Sequence, residues 1–367
     1  MRILIDLTSL ADNFSGIERF AACLALEMIR EKRNHYILLF KEDVHPLFAD
    51  RISQPNIETV VLPRCGKLLF NQLRLPLAIY KCRADRYLFL AFPVPVLLFR
   101  KNMISTIHDL CFWDCPDTMN HVSALYFRIS HRVAMCKCKR LITISEFSKS
   151  RILSRFSLGP RKLYLTYCGV DERFLDPPDS EDADIRQRYR LPDRYILSLS
   201  TLEPRKNLSL LIRAYSRLVL EDGWDIPLVL AGRRGWKMDD LLSGVPEAVT
   251  GQIHFTGFIA DGDLPWVYAH AELFVFPSLY EGFGLPPLEA LACGTRVLSS
   301  DAASLPEVLG DAADYFESNN LHDLYEALKN GGRSQRATAA CQGRLQASRF
   351  SWRGEAESLL EKIENLS

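Results

Sequence analysis

The sequence has no net charge, no internal repeat and no long uninterrupted apolar segment. Its 45 basic and 45 acidic residues balance over 367 residues, and we predict no nucleic-acid partner. The longest apolar run, Tyr87–Phe99, is interrupted by Pro93 and Pro95. It is shorter than the roughly 20 residues that a membrane-spanning helix needs. The sequence therefore predicts no transmembrane helix.

The cysteines also lack a pattern. Ten of them are scattered along the chain, and Arg2–Leu7 is too short to be the apolar core of a secretory signal. We therefore expect free thiols and a cytoplasmic location. One group of His and Cys residues is a candidate metal site, but its spacing fits no usual zinc ribbon or finger: His108, Cys111, Cys115, His121, Cys136 and Cys138. We expect no metal there.

The length and the hydrophobic pattern predict two α/β domains. A chain of this length exceeds what one hydrophobic core normally fills. Val-, Ile- and Leu-rich strands alternate with amphipathic helices in both halves, which is typical of parallel sheets covered on both faces. The predicted strands are Arg2–Asp6, Tyr36–Phe40, Ile57–Leu62, Tyr87–Phe92, Met103–Ile107, Leu141–Ile144, Tyr195–Leu199, Leu228–Ala231, Ile253–Thr256, Leu273–Phe276 and Thr295–Ser299. The Pro- and Asp-containing stretch Cys168–Arg194 is the predicted linker.

The stretch Ala271–Ser300 carries the clearest pattern for a ligand site. A predicted strand ends there, a glycine-containing turn at Tyr280–Gly284 follows, and a predicted helix begins at Leu285. Such a geometry points unpaired amide N–H groups and a positive helix end at a ligand, usually an anion.

Two carboxylates frame this turn. Glu281 and Glu289 are separated by seven residues, so they cannot form a catalytic pair on one helix face. Carboxylates bind vicinal diols through charge-assisted hydrogen bonds, so the two acids are suited to hold two parts of one extended ligand, such as a nucleotide sugar. The alternative is that Glu281 is a solvated loop acid and that Glu289 is stabilised by the helix dipole.

A second anion site is predicted at Ser200–Asn207. Arg205 and Lys206 stand next to each other at a helix start, where they oppose the helix dipole unless an anion binds there. Arg205 can grip a phosphate with its planar fork, and Lys206 adds a point charge. The alternative is a basic turn in which Asn207 caps the helix.

His108 and Asp109 follow the predicted strand Met103–Ile107, where open α/β sheets place their active groups. The alternative is a structural histidine beside a capping aspartate. Gly16 follows the first predicted strand and precedes the predicted helix Ile17–Ile29, so we expect its loop to face the ligand cleft from the side of the first domain, but it is a weak signal alone. No G-x-G-x-x-G fingerprint occurs, which counts against an NAD-type site.

The segment between Arg64 and Arg140 is strongly basic, with thirteen basic and four acidic residues. Within it, Leu68–Tyr80 interleaves apolar and basic residues as an interfacial helix does. Binding to anionic lipid or to a lipid-linked diphosphate is one interpretation. An ordinary amphipathic core helix with a solvated basic face is the other.

The setting Y-E-G-F-G-L-P-P-L-E-A-L-A-C-G resembles the E-x7-E signature of retaining GT-B glycosyltransferases of family 4. With I-H-D-L and T-L-E-P-R-K-N, the chain looks most like bacterial mannosyl- and rhamnosyltransferases of O-antigen or exopolysaccharide assembly. The resemblance implies two Rossmann-like, doubly wound domains that face a central cleft. Residues 1–170 would form the acceptor-side domain and 171–350 the nucleotide-sugar domain, and 351–367 a terminal helix that crosses back.

The resemblance also implies a role for each matching residue. Glu281 and His108 would hold the donor sugar, Glu289 the ribose, and Arg205 and Lys206 the diphosphate. The remaining implied contacts are the segment Phe283, Gly284 and Leu285 on sugar and phosphate, Gly16 on donor phosphate or acceptor, and Gly232 and Phe258 at the nucleobase rim. Phe258 is equally compatible with the core. Many family members have a further Arg where this chain has Ser200 and Thr201, so we expect more phosphate charge on Arg205.

The function implied is the retaining transfer of a hexose, best assigned as mannose from GDP-mannose, to a saccharide or lipid-linked acceptor. No D-x-D pair stands in a sugar-binding setting, so a metal-independent enzyme without a cofactor is expected. Peripheral contact with an anionic membrane through the basic N-terminal domain is a further expectation. A GT-B-fold nucleotide-sugar epimerase and a non-catalytic nucleotide-sugar-binding subunit are the alternatives.

Overall fold

The computed structural model describes residues 1–11, 16–119, 121–178, 182–235, 241–331 and 336–366. The chain divides into two compact units. The first comprises Met1–Pro116, Asn120–Gly169 and Ser351–Ser367, and the second comprises Asp117–Met119 and Val170–Phe350. Residues 179–181 of the predicted linker lie outside the described residues, and so does Ser15, which precedes Gly16.

The first unit is built on a seven-stranded parallel sheet. Its strands are β1 (Arg2–Asp6), β2 (His35–Lys41), β3 (Ile57–Leu62), β4 (Arg86–Phe89), β5 (Met103–Thr106), β6 (Arg140–Thr143) and β7 (Leu163–Leu165). They lie in the order β3-β2-β1-β4-β5-β6-β7, and each neighbouring pair is parallel. The central strands are almost wholly buried because apolar side chains project from both faces.

The helices of the first unit are α1 (Gly16–Met28), α2 (Lys67–Leu69), α3 (Leu75–Lys81), α4 (Cys111–Asp114), α5 (His121–Lys137) and α6 (Glu146–Phe156). A π-helical turn, Phe70–Arg74, joins α2 to α3. Ser145 caps α6 by accepting a hydrogen bond from the Ser148 amide. Phe70, Leu75 and Ile79 pack into the core, so the predicted helix Leu68–Tyr80 is partly a core helix.

The second unit repeats the design with a six-stranded parallel sheet. Its strands are β8 (Ile196–Leu199), β9 (Leu228–Ala231), β10 (Ile253–Gly257), β11 (Leu273–Phe276), β12 (Val297–Ser300) and β13 (Asp314–Phe316). They lie in the order β10-β9-β8-β11-β12-β13, again with parallel neighbours. The prediction of two parallel-sheet α/β domains is therefore confirmed.

The helices of the second unit are α7 (Ala183–Tyr189), α8 (Leu208–Asp222), α9 (Glu247–Thr250), α10 (Leu264–Ala269), α11 (Leu285–Ala292), α12 (Leu305–Leu309), α13 (Leu321–Lys329) and α14 (Arg336–Ala347). The predicted linker Cys168–Arg194 contains the boundary between the two units at Gly169/Val170, and it also contains the helix α7, which was not predicted. Asp182 caps α7 by accepting hydrogen bonds from the amides of Asp184 and Ile185. The acidic residues Asp182 and Asp184 of the predicted linker therefore stand at the start of a helix.

The last helix, α15 (Trp352–Glu364), belongs to the first unit. It packs along α1, and Arg86 donates hydrogen bonds to the carbonyls of Ile363 and Leu366 near its end. Trp352 is buried, and its backbone closes on Gly169, where an added Cβ would meet the Trp352 nitrogen at 2.2 Å.

Each sheet has one point at which the strand order reverses. This point falls between β1 and β4 in the first unit and between β8 and β11 in the second. Loops that leave the carboxyl ends of two such strands diverge to opposite faces of the sheet and leave a crevice that ligands occupy in open α/β folds. The loops after β8 and β11 are therefore where the topology favours a site in the second unit.

Candidate active site

Arg205 and Lys206 lie at the carboxyl end of β8. The chain leaves the strand at Ser200 and forms a 3₁₀ turn at Pro204–Lys206, and α8 begins at Leu208. Asn207 adopts a left-handed conformation with φ of 53°, and its side chain makes no capping hydrogen bond. The alternative interpretation, in which Asn207 caps the helix through its side chain, is therefore wrong.

Glu281, in the loop after β11, meets both of these cations. Its Oε1 atom accepts a hydrogen bond from Lys206 Nζ at 2.6 Å, and its Oε2 atom lies 2.9 Å from Arg205 Nη1. Glu281 and Lys206 are only 8% and 9% exposed. The alternative of a solvated loop acid is therefore excluded, and the two loops at the reversal point carry one buried ionic cluster.

The charges of this cluster depend on one another. Burial alone would raise the pKa of Glu281, but Arg205 and Lys206 outweigh it and hold that pKa at about 2. Burial and the neighbouring Arg205 lower the pKa of Lys206, and Glu281 opposes that shift. The Glu281 carboxylate is therefore charged at neutral pH, and without the two cations it would be an uncompensated buried charge.

Arg205 is further positioned by two contacts that tie the loops together. Its Nη2 atom donates to Glu203 Oε1 at 2.7 Å, and its Nη1 atom donates to the Tyr280 carbonyl at 2.6 Å. The Leu279 amide donates in turn to the Arg205 carbonyl at 2.9 Å. The guanidinium plane is therefore oriented before any ligand binds, which is the preorganisation that electrostatic catalysis requires.

Buried serines hold the backbone of the Glu281 loop. Ser278 Oγ donates to Glu281 Oε1, and Ser304 Oγ lies 3.0 Å from the carbonyl oxygens of both Glu281 and Phe283. Ser300 Oγ donates to the Ser278 carbonyl at 2.6 Å. These contacts satisfy polar groups that the turn would otherwise bury without partners.

The turn ends at Gly284, where α11 begins. The φ of Gly284 is 104°, a backbone conformation that residues with a side chain rarely adopt, and an added Cβ would meet Leu305 Cδ2 at 2.6 Å. Pro286 stands in the first turn, where its missing N–H is not needed. Phe283 and Leu285 are themselves buried, so the amides of this segment, rather than these side chains, are suited to meet a ligand.

Glu289 lies one turn inside α11 and is 5% exposed. The hydroxyl of Tyr268 donates to its Oε2 atom at 3.0 Å. A carboxylate offers about four acceptor positions. The contact shows that the side chain points into the unit between α10 and α11, rather than into solvent as a simple dipole-stabilised acid would.

His108 follows β5 in the first unit, beside the end of β4. Its Nε2 atom lies 3.1 Å from the carbonyl oxygens of Leu90 and Ala91, so it carries the proton in this arrangement. Burial lowers the pKa of His108 to about 4, and the ring is therefore neutral at pH 7. Asp109 Oδ1 accepts a hydrogen bond from the Cys111 amide, which is the capping role given above as an alternative.

The remaining predicted residues lie at strand ends or helix starts. Gly16 is the exposed first residue of α1. Gly232 follows β9 with φ of 130°, and an added Cβ would lie 1.8 Å from the Ser200 carbonyl oxygen. Phe258 is 41% exposed under the Arg233 guanidinium, which excludes the core alternative for this residue.

Three further observations concern the described residues alone. They contain no group of three or more His, Cys, Asp or Glu side chains placed to hold a metal ion. No helix among them is both long and apolar enough to cross a bilayer. A cavity of about 950 Å³ lies between β3 and α3, and none of the predicted site residues lines it.

Five polar residues that support the site were not predicted from the sequence. Glu203, Tyr268, Ser278, Ser300 and Ser304 all bond directly to predicted site residues or their loop. The available signal was their position, since Glu203 stands two residues before Arg205, and Ser278 and Ser300 stand at the ends of apolar strands. No motif marks Tyr268, because only the packing of α10 on α11 brings it to Glu289.

Two family models cover most of the chain in succession. Residues 14–174 match the model described as Glycosyltransferase Family 4, and residues 181–331 match Glycosyl transferases group 1. The O-antigen chain mannosyltransferase B of Escherichia coli is 36% identical over 259 residues, which span 69% of this chain and 67% of that protein. The chain belongs to glycosyltransferase family 4.

Further relatives of this family 4 glycosyltransferase carry related names. A serotype-specific mannosyltransferase WbdA of Escherichia coli is 33% identical over 237 residues, but the match spans only 29% of its length. Among solved structures, Anabaena HepE in complex with UDP and glucose superposes with a TM-score of 0.73 at 17% identity, covering 99% of each chain. WaaG, a glycosyltransferase involved in lipopolysaccharide biosynthesis, superposes with a TM-score of 0.73 at 16% sequence identity, covering 100% of each chain. These structural matches establish the GT-B fold.

Proposed function

We propose that this glycosyltransferase moves mannose from GDP-mannose to a saccharide or lipid-linked acceptor in cell-surface polysaccharide synthesis, with retention of configuration and without a metal. The observation that carries the proposal is the contact of Glu281 with both Arg205 and Lys206 at the reversal point of the second sheet. The mannose assignment is supported by the names of the relatives, including the O-antigen chain mannosyltransferases B and RfbU.

The cluster is suited to a sugar diphosphate because it places two cations side by side at the carboxyl end of a strand. Lys206 can donate three hydrogen bonds, one of which goes to Glu281, and the Arg205 guanidinium is held in place by Glu281, Glu203 and Tyr280. Glu281 would accept hydrogen bonds from sugar hydroxyls, with the ring held close to the diphosphate. Amides of Phe283, Gly284 and Leu285 would add neutral donors, and Glu289 would hold the ribose diol.

In the proposed reaction, the bond between the sugar C1 and the diphosphate oxygen breaks while the acceptor hydroxyl oxygen bonds to C1 on the same face. The acceptor proton passes to the departing phosphate. Arg205 and Lys206 would stabilise the charge that develops on the leaving group, and neutral His108 would hydrogen-bond a sugar hydroxyl. No protein nucleophile is assigned, so most of the rate enhancement would come from positioning and electrostatics.

The donor assignment is tested by thermal stabilisation with nucleotide sugars. GDP-mannose is expected to raise the Tm more than UDP-glucose or dTDP-rhamnose, because a tighter ligand stabilises the folded chain by mass action. A larger shift with a uridine or thymidine diphosphate sugar would contradict the donor and leave the reaction class standing.

The reaction class needs separate measurements. Transfer to a mannose-containing acceptor is expected to give an α-linked product from the α-linked donor, read by NMR, at a rate unchanged by EDTA. Turnover of the donor sugar to an epimer without acceptor would instead identify an epimerase. Binding without any turnover would identify a non-catalytic subunit.

A further inference from the structure

Asp6 ends β1 of the first unit, at the point where the strand order of that sheet reverses. β1 pairs with β2 on one side and with β4 on the other, and Asp6 lies opposite Leu39 and Phe89. The three residues before Asp6 are completely buried, whereas Asp6 itself is partly exposed. Loops that follow two such strands diverge and leave a crevice for a ligand, so Asp6 borders the crevice that the topology creates in the first unit.

The Asp6 carboxyl group has one oxygen that the chain holds and one that it leaves open. The Oδ1 atom accepts hydrogen bonds from the Thr8 hydroxyl at 2.7 Å and from the Thr8 amide at 3.1 Å. Within the described part of the chain, no donor bonds to the Oδ2 atom and no cation forms an ion pair with Asp6. Thr8 therefore fixes the orientation of the carboxyl group, and Oδ2 is the oxygen that can meet a ligand.

The stability of the fold does not explain an acid at this position. Burial raises the pKa of Asp6, and the two bonds from Thr8 oppose that shift only in part. A carboxyl group whose pKa is raised on folding lowers the free energy of unfolding once it ionises. A hydrogen bond from a ligand hydroxyl would stabilise the ionised form, which the folded chain alone disfavours.

His108 lies on the other side of β4 from Asp6. Its Nε2 atom is held by the carbonyls of Leu90 and Ala91, which directly follow β4, and its ring lies 5.2 Å from the Phe20 ring of α1. The strands that carry Asp6 and His108 are two strand spacings apart, roughly 10 Å. The two side chains thus flank the end of β4 and are suited to contact different hydroxyl groups.

The open oxygen of Asp6 suits a hydroxyl group of a neutral ligand. An ionised Asp6 would repel the diphosphate of the donor, whereas a sugar hydroxyl can donate a hydrogen bond to it. We propose that Asp6 Oδ2 accepts a hydrogen bond from a hydroxyl group of the acceptor sugar and so orients the acceptor. This inference rests on the proposed function, because it concerns the acceptor of the same reaction. The acceptor proton still passes to the departing phosphate, so Asp6 positions the acceptor without acting as the base.

Asp6→Asn tests this contact, because the amide can keep both bonds from Thr8 but replaces the open oxygen with an N–H donor. With GDP-mannose as donor and methyl α-mannoside as acceptor, the KM for the acceptor should rise about tenfold or more. The affinity for GDP should stay within about twofold, and the Tm should not fall, because an acid that costs stability is removed. The matched control Asp85→Asn changes an exposed aspartate that bonds the Arg2 amide at the opposite ends of β1 and β4, and its acceptor KM should stay within about twofold.

A double-substitution cycle separates a direct contact from an indirect effect. Methyl α-mannoside and each of its monodeoxy analogues are measured as ligands that compete with the acceptor, on the wild type and on Asp6→Asn. One analogue should bind the wild type about tenfold more weakly than methyl α-mannoside does, yet differ from it less than about threefold on Asp6→Asn.

Four results would overturn the inference. They are an unchanged acceptor KM in Asp6→Asn, an equal loss in Asp85→Asn, deoxy analogues that are discriminated equally by both proteins, and a Tm of Asp6→Asn that falls together with its activity. An equal loss of affinity for GDP-mannose would also overturn it, because Asp6 would then act on the donor. A wild type that transfers nothing to methyl α-mannoside would contradict the proposed function and, with it, this inference, whereas transfer that Asp6→Asn does not impair would contradict this inference alone.

Discussion

Lys206 Nζ and Glu281 Oε1 lie 2.6 Å apart although 75 residues separate them in the chain. Each follows one of the two strands that flank the reversal of strand order, and both side chains are almost completely buried. A buried pair of this kind costs desolvation energy that its mutual attraction only partly returns. Because the Lys206–Glu281 pair lies at the ligand crevice of an α/β fold, we expect it to serve ligand binding rather than stability.

Lys206→Met is expected to weaken GDP binding by about tenfold or more, since it removes the charge that we propose contacts the diphosphate while nearly conserving the volume of the side chain. Affinity for guanosine, which has no phosphate, should not change. Calorimetric titration measures both. The control Lys329→Met removes the exposed lysine that pairs with Asp222 and should leave GDP binding as it is. Unchanged GDP affinity in Lys206→Met would contradict the diphosphate assignment.

Glu289→Gln is expected to reduce affinity for GDP about tenfold, because an amide is a weaker acceptor of ribose hydroxyl hydrogens than a carboxylate. The matched ligand is 2′,3′-dideoxy-GDP, which lacks the diol and should bind the wild type and the variant equally well. Equal losses for both ligands would mean that Glu289 acts through its bond to Tyr268 rather than on the ribose.

Gly284→Ala is expected to lower the free energy of unfolding by about 1–3 kcal/mol more than Gly223→Ala. Both glycines have positive φ, but an added Cβ at Gly223 meets nothing within 4 Å, whereas at Gly284 it meets Leu305 Cδ2 at 2.6 Å. Denaturant titration of the two variants isolates this contact. Equal losses would show that Leu305 moves aside freely.

His131 is expected to make the first unit sensitive to acid. It is buried beside Phe112 and Phe127, and burial lowers its pKa to about 4, with His108 acting in the same direction. His131 is therefore protonated below about pH 6.5 in the unfolded chain but only below about pH 4 in the folded chain. This contribution to stability is complete above pH 6.5 and falls by about 3 kcal/mol as the pH drops to 4.

The His131→Phe variant checks this dependence. It should show a smaller decrease of Tm between pH 7 and pH 4.5 than the wild type, and part of the decrease should persist because His108 also has a lowered pKa. Parallel Tm curves for the two proteins would exclude His131 as a source of the acid sensitivity.

Much of the fold was predictable because the strands are short, apolar and regularly separated. The sequence located β1, β3, β9 and β11 at their observed bounds. The three-residue strands β7 and β13 were missed because they are too short to show a period. The helix α7 was missed because its capping Asp182 stands among prolines and acids that also suit a linker.

The site was only partly predictable for a similar reason. The types of Glu281, Arg205 and Lys206 suggested their chemistry, but their direct contact depends on strand order, which no local pattern encodes. Asn207 is a residue type that often caps helices, yet here its backbone is left-handed and its side chain makes no capping hydrogen bond. Tyr268 and the serines of the Glu281 loop become visible only when the packing of the second unit is known.

The most direct test of the central claim is the turnover of GDP-mannose by Glu281→Gln. The amide conserves the shape of the side chain but removes the charge that meets Arg205 and Lys206 and would hold the sugar hydroxyls. The account predicts a kcat at least about 10²-fold lower than that of the wild type, with GDP affinity within a few fold. A variant that transfers mannose at the wild-type rate would contradict the assignment of Glu281 to the donor sugar.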